Sequence, residues 1–89
     1  MAWRIELGRD AEKALDKLDR PIAQRILRFL YERVAPLDDP RSIGEALQGS
    51  KLGEFWKYRV GDYRIISRIE DGRLCILVVR IGNRRDVYR

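Results

Sequence analysis

Trp56-Lys57-Tyr58-Arg59-Val60-Gly61-Asp62-Tyr63-Arg64-Ile65-Ile66-Ser67-Arg68 reads as two β-strands joined by a tight turn. Residues alternate with period two on either side of Gly61-Asp62, and a two-residue loop with glycine first suits the turns whose twist matches paired strands. That loop fixes a register in which Val60 opposes Tyr63, Arg59 opposes Arg64, Tyr58 opposes Ile65 and Lys57 opposes Ile66. Side chains alternate across a strand, so Lys57, Arg59, Arg64 and Arg68 share one face, with Arg59 and Arg64 in direct opposition. Like charges so placed weaken a sheet, and a hairpin that keeps four of them is suited to hold a polyanion. The structural alternative is a solvated sheet edge guarded by Lys and Arg.

The strands continue outward from this hairpin as a meander. Asp71-Gly72 signals a type I′ turn, and Leu74 to Ile81 forms the next strand, whose nearly continuous apolar run predicts burial on both faces and a central place. Antiparallel pairing then brings Gly82 and Arg84 beside the Gly61 end. Lys57, Arg59, Arg64 and Arg84, with Arg85 and Tyr88 at the margin, line one concave patch that fits a phosphate.

Upstream, Trp3, Ile5 and Leu7 alternate on one face of a short first strand. Gly8 caps a helix carrying Ala11, Ala14, Leu15 and Leu18 at helical spacing, with Asp10 and Glu12 in its first turn. Asp19 caps a second helix, with Pro21 in the first turn and a stripe of Ile22, Ala23, Ile26, Leu27, Leu30 and Val34 running to about Ala35. So short a connection predicts a helical hairpin packed on the sheet. Arg25, Arg28, Glu32 and Arg33 read as its solvated side, while Phe29 and Tyr31 flank the stripe as core edge or docking surface. Pro36 to Gly53 is loop-rich, with one helical turn expected at Ser42–Leu47. The expected fold is therefore α+β: an N-terminal strand, a two-helix hairpin, then an antiparallel β-meander packed against the helices, in a single domain over residues 1–89.

Composition narrows the chemistry. The 89 residues carry a net charge of +5 and are 45% hydrophobic and 37% charged, which suits an ordered domain with one modest core. Residues 1–50 hold nine Lys and Arg against nine Asp and Glu, whereas residues 51–89 hold ten against five, so all the excess lies in the second half. That is the charge footprint of a nucleic-acid contact, and it also fits an acidic protein partner. The chain has no His and one Cys, which excludes zinc sites and Ser-His or Cys-His triads; no metal or cofactor is expected. Cys75, inside the apolar run, reads as a buried thiol. Neither a signal peptide's apolar core nor a membrane span is present, and the expectation is a cytoplasmic protein.

The order of strand, helical hairpin and meander resembles the RelE/ParE superfamily of toxins from bacterial toxin–antitoxin systems. The resemblance rests on Ala11-Glu12-x-x-Leu15-x-x-Leu18, Leu47-x-Gly49, Trp56 to Arg64, and Gly82-Asn83-Arg84-Arg85-Asp86-Val87-Tyr88, and it covers essentially the full chain. It implies one of two activities. RelE-like members are ribosome-dependent, metal-independent endoribonucleases that cut mRNA; ParE-like members share the fold and inhibit DNA gyrase. Lys57, Arg59 and Arg64 match the basic positions of the RelE hairpin, Arg84 the terminal Arg and Tyr88 the terminal Tyr, which favours the nuclease branch. Asn83 stands where many relatives have His, and Arg59 where a Lys is found.

RNA cleavage requires a base for the 2′-hydroxyl proton, cations for the pentavalent phosphorane and an acid for the leaving oxygen. The resemblance assigns Tyr88 as base, with Lys57 as the alternative. Arg59 and Arg64 stabilise phosphate charge, and Arg84 does the same or protonates the leaving oxygen. Lys51, Arg68, Asn83 and Arg85 are expected as RNA contacts. The expected partners are mRNA, the ribosome and a cognate antitoxin bound as a heteromeric complex, with no membrane involved.

Overall fold

The hairpin adopts the register that its alternation predicts. Strand β3 (Phe55–Val60) pairs antiparallel with β4 (Tyr63–Glu70), with Val60 opposite Tyr63, Arg59 opposite Arg64, Tyr58 opposite Ile65, and so on to Phe55 opposite Arg68. Gly61 takes φ +59, a left-handed conformation that a residue without Cβ adopts readily. A computed structural model describes residues 2–47 and 55–87.

Strand β5 (Cys75–Asn83) pairs antiparallel with the other side of β4, which gives the expected meander its third strand and a place inside the sheet. Two short strands complete it. β1 (Arg4–Leu7) lies parallel to β5, and β2 (Glu45–Ala46) lies antiparallel to β3, for the order β1-β5-β4-β3-β2. A bulge in β5 sets Arg80 opposite Ile66 but Val78 opposite Ser67, so Val79 is the extra residue and Val78 and Ile81 both reach the core.

One face of the sheet is covered by the helical hairpin. Helix α1 (Arg9–Lys17) buries Ala11 and Leu15, and α2 (Arg20–Arg28) buries Ile26. The expected α-helix to Ala35 instead widens to a π-helix over Phe29–Val34, closed by the Ala35 amide donating to the Leu30 carbonyl at 2.9 Å. Leu30 and Val34 remain fully buried, so the apolar stripe survives the wider winding. These side chains pack on Tyr58, Val60, Ile65, Ile69, Ile76 and Val78. Phe29 meets the Tyr58 ring edge-on at 6.0 Å and is half-buried, which makes it core edge; Tyr31 is exposed.

Two local expectations are corrected. The helical turn expected at Ser42–Leu47 is a 3₁₀ turn at Pro40–Ile43, where Asp39 caps the start by accepting from the Arg41 amide at 3.0 Å, and Glu45–Ala46 then pairs as β2. Gly44 lets this segment lie against the sheet, since a Cβ there would fall 2.8 Å from the Tyr58 ring. The type I′ turn expected at Asp71-Gly72 is a 3₁₀ turn over Asp71–Arg73, and the left-handed residue is Leu74 at φ 47, ψ 47. Asp71 is held there by Arg41, whose two Nη atoms donate to its carboxylate at 3.0 and 2.7 Å.

Candidate nucleic-acid interface

Directly opposed residues of paired strands share a face, so Lys57, Arg59, Arg64 and Arg68 emerge together on the side of the sheet away from the helices. Arg59 is exposed. Arg64 is only 9% exposed, and its Nη1 donates to the carbonyls of Gly61 at 3.1 Å and Tyr63 at 3.0 Å. The guanidinium is thus anchored on its own turn, while its other N–H groups find no acceptor among the described residues. Lys57 Nζ lies 3.6 Å from Glu45 Oε2, so β2 supplies a carboxylate that holds the lysine beside the hairpin. The exposed Arg68 lies two residues beyond Ile66, opposite Phe55.

The segment after β5 folds back over this face. The Arg84 amide donates to the Asp62 carbonyl at 2.8 Å, which pins the tail to the hairpin turn. Asn83 then builds a compact turn: its Oδ1 accepts from the Arg85 amide at 3.1 Å, and its carbonyl accepts from the Asp86 and Val87 amides, both at 2.9 Å. The side-chain carbonyl of Asn83 is therefore engaged in shaping the tail. Gly82, opposite Arg64, makes room for the return, because a Cβ there would come within 3.3 Å of Val87 Cα. Val87 is buried, and its carbonyl accepts from Arg80 Nη1 at 3.0 Å.

The structure therefore brings Lys57, Arg59, Arg64 and the Arg84 backbone to one end of one face, with Arg85 exposed in the adjoining turn. Tyr88 and Lys51 lie outside the described residues. Two contributors went unread in the sequence. Arg80 interrupts the apolar run of β5, and that single charge was the available signal for a residue that leaves the core to tie down the tail. Glu45 carried no signal, because its pairing depends on a two-residue strand.

Charge is distributed differently along this face. Near β1, Glu6 pairs with Arg4 and, at 3.2 Å, with Arg73, while Arg73 also meets Glu70 at 2.6 Å. Arg4 and Arg73 hold the Glu6 carboxyl below its ordinary value. At the Gly61 end, Arg59, Arg64 and Arg84 have no acidic side-chain partner among the described residues, which leaves a positive field over a shallow surface. Cys75 is fully buried, and burial, with a hydrogen bond to Glu6, pushes its thiol up, away from nucleophilic character. No cluster of three or more His, Cys, Asp or Glu suited to a metal exists among the described residues, and none of their helices is long and apolar enough to cross a membrane.

Residues 5–88 match the family of the ParE toxin of type II toxin–antitoxin systems, parDE. The chain is a toxin of the RelE/ParE superfamily. The toxin is 27% identical over 89 residues to toxin RelG of Mycobacterium tuberculosis, covering 100% of its own chain and 99% of that relative. In fold it is similar to the RelBE2 toxin–antitoxin complex from Mycobacterium tuberculosis, with a TM-score of 0.83 at 23% identity over 97% of this chain and 95% of that one. The archaeal RelE–RelB complex from Pyrococcus horikoshii gives a TM-score of 0.67 at 26% identity, covering 98% and 100%. The strand order and helical hairpin of the toxin are accordingly those of a RelE fold.

Proposed function

We propose that the toxin is a ribosome-dependent, metal-independent endoribonuclease that cuts mRNA and halts translation. The observation that carries this reading is the opposition of Arg59 and Arg64, free of acidic partners among the described residues, beneath a tail pinned to the same turn by the Arg84 amide. Two arginines opposed on one sheet face can together meet the non-bridging oxygens of one phosphate. In the proposed reaction the 2′-oxygen attacks phosphorus, the P–O5′ bond breaks, and the products are a 2′,3′-cyclic phosphate and a 5′-hydroxyl. Tyr88 accepts the 2′-hydroxyl proton, with Lys57 as the alternative base. Arg59 and Arg64 stabilise the phosphorane, and Arg84 stabilises or protonates the departing oxygen. Within the described residues, the tail is held on this face as far as Val87, whose carbonyl accepts from Arg80 and whose Cα and side chain lie over Gly82.

Lys51, Arg68, Asn83 and Arg85 are assigned to RNA contacts around this centre. The proposed location is the cytoplasm, where mRNA and ribosomes are found, and the proposed partner is a cognate antitoxin, as in the toxin–antitoxin complexes of the structural relatives. An acidic, amphipathic segment fits the +5 charge and exposed Tyr31. Purified toxin acting on mRNA-programmed ribosomes tests the reaction. Cyclic-phosphate termini, with losses of about 10²-fold or more in Arg64→Ala and Tyr88→Phe, are expected; 3′-hydroxyl termini would contradict the mechanism. Gyrase inhibition is the second reading, favoured by the match to the ParE family. It predicts intact mRNA, inhibited supercoiling and tolerance of Tyr88→Phe.

A further inference from the structure

A second concavity lies on the helix side of the same turn. It has a volume of about 290 Å³ and is lined by Ile22, Arg25 and Ile26 of α2 together with Val60, Gly61, Asp62 and Tyr63 of the hairpin. Its lining is apolar apart from Asp62 and Arg25, and Arg25 reaches the turn: a Cβ on Gly61 would lie 3.2 Å from Arg25 Nη1. Arg25 is exposed, and its side chain makes no hydrogen bond or ion pair among the described residues. Two arginine side chains therefore meet at Gly61, Arg64 bonded to its carbonyl and Arg25 over it, while the backbone amide of Arg84 bonds the Asp62 carbonyl. Arg64 and Arg84 belong to the phosphate face, while Arg25 reaches the turn from the opposite side.

We propose that this cleft is a nucleobase subsite, in which an unstacked base next to the reacting phosphate lies against Tyr63, Ile22 and Ile26 and is contacted at its edge by Arg25. The proposal rests on the nuclease reading for the identity of the RNA. Three features support it. The cleft is at the small end of ligand sites and suits one heterocycle. Single-stranded RNA is read by splaying bases onto aromatic or arginine surfaces and hydrogen-bonding their edges. And Gly61 and Asp62 of the turn line the cleft while their carbonyls are bonded by Arg64 and the Arg84 amide of the phosphate face, so one strand passing the turn can place a phosphate on one side and the neighbouring base on the other. Arg25, read from sequence as a solvated helix residue, becomes a specificity-determining residue.

Two measurements test the subsite. In the first, AMP, CMP, GMP and UMP are titrated separately into the toxin while NMR follows the Ile22 and Ile26 methyl groups, the Tyr63 ring and the Gly82 amide. At least one nucleotide is expected to shift the Ile22, Ile26 and Tyr63 signals. Arg25→Gln should remove those shifts but keep that of Gly82, and Arg25→Lys should restore them in part. In the second, cleavage rates are compared on ribosomes programmed with each of the four bases beside the scissile bond. Wild type should vary by about tenfold or more among bases, and Arg25→Gln should compress that range to within about threefold. Shifts confined to the phosphate face, or an Arg25→Gln variant with unchanged shifts and base dependence, would overturn the subsite. Absence of cleavage by wild type would refute the nuclease reading, while the nucleotide titration would still decide whether the cleft binds a base.

Discussion

Removing one hydroxyl from the sheet should loosen the segment that carries Glu45. Tyr58 is 1% exposed, and its hydroxyl donates to the Pro40 carbonyl at 2.7 Å, tying the 3₁₀ turn and β2 to β3. Tyr58→Phe forfeits a net hydrogen bond worth about 0.5–1.5 kcal/mol and leaves the Pro40 oxygen without its partner, at roughly 1–3 kcal/mol if no water replaces it. A loss of about 2 kcal/mol at pH 7 is expected, or roughly 10 °C in Tm for a chain of this size. Alkaline pH gives a sharper signature. Burial pushes the Tyr58 phenol up to about 12, against an ordinary value of about 10. The native state therefore holds this proton more tightly than the unfolded chain. The associated stability is fully present below about pH 10 and is lost as pH rises through about 12.

The difference corresponds to at most ~2.7 kcal/mol, and structural relaxation around the phenolate lowers it to about 1–2 kcal/mol. Urea unfolding of wild type and Tyr58→Phe at intervals from pH 9 to pH 11.5 isolates the effect, since contributions from Cys75 and the other tyrosines are common to both. The stability gap should narrow steadily as pH rises. A gap below about 0.5 kcal/mol at pH 7, or one that stays constant to pH 11.5, would refute the reasoning.

Ser67 is fully buried, and its hydroxyl has no hydrogen-bond partner among the described residues. Ser67→Ala should therefore raise stability by about 1 kcal/mol in urea unfolding. Gly82→Ala should push the tail outward by a few tenths of an ångström, because the new Cβ would meet Val87 Cα at 3.3 Å. Overpacking of about 1 kcal/mol is expected in thermal unfolding, with a several-fold loss of cleavage rate as the tail that carries Val87 is displaced. Glu45→Gln removes an exposed ion pair with Lys57 at 3.6 Å and should change stability by less than about 1 kcal/mol, with the effect shrinking at high salt.

The hairpin was legible because every cue agreed. Alternation and turn chemistry specify the register that places Arg59 against Arg64, and the apolar stripe of Ile26, Leu30 and Val34 specifies the buried side of the second helix. The features missed in sequence depend on distant contacts. β1 joins β5 in parallel through pairings such as Ile5 with Ile76, more than seventy residues apart, which no local pattern encodes. β2 exists because Gly44 admits the Tyr58 ring and Leu47 reaches the Phe55 carbonyl, not because Glu45-Ala46 favours a strand. Leu74 adopts left-handed geometry despite its Cβ, after Asp71 is drawn to Arg41, so the Asp71-Gly72 signal was overridden by tertiary contacts. In the candidate site, charge identified Lys57, Arg59 and Arg64, but the role of Asn83 as a turn builder and of Arg80 as a tether emerges only once the chain reverses over Gly82.

The most direct test of the central claim is primer extension on mRNA from cells briefly expressing wild type, Arg64→Ala or Tyr88→Phe, with circular dichroism showing that both variants fold. New mRNA ends at in-frame codon positions are expected with wild type and none with either variant. Growth arrest by wild type with mRNA left intact would contradict that claim.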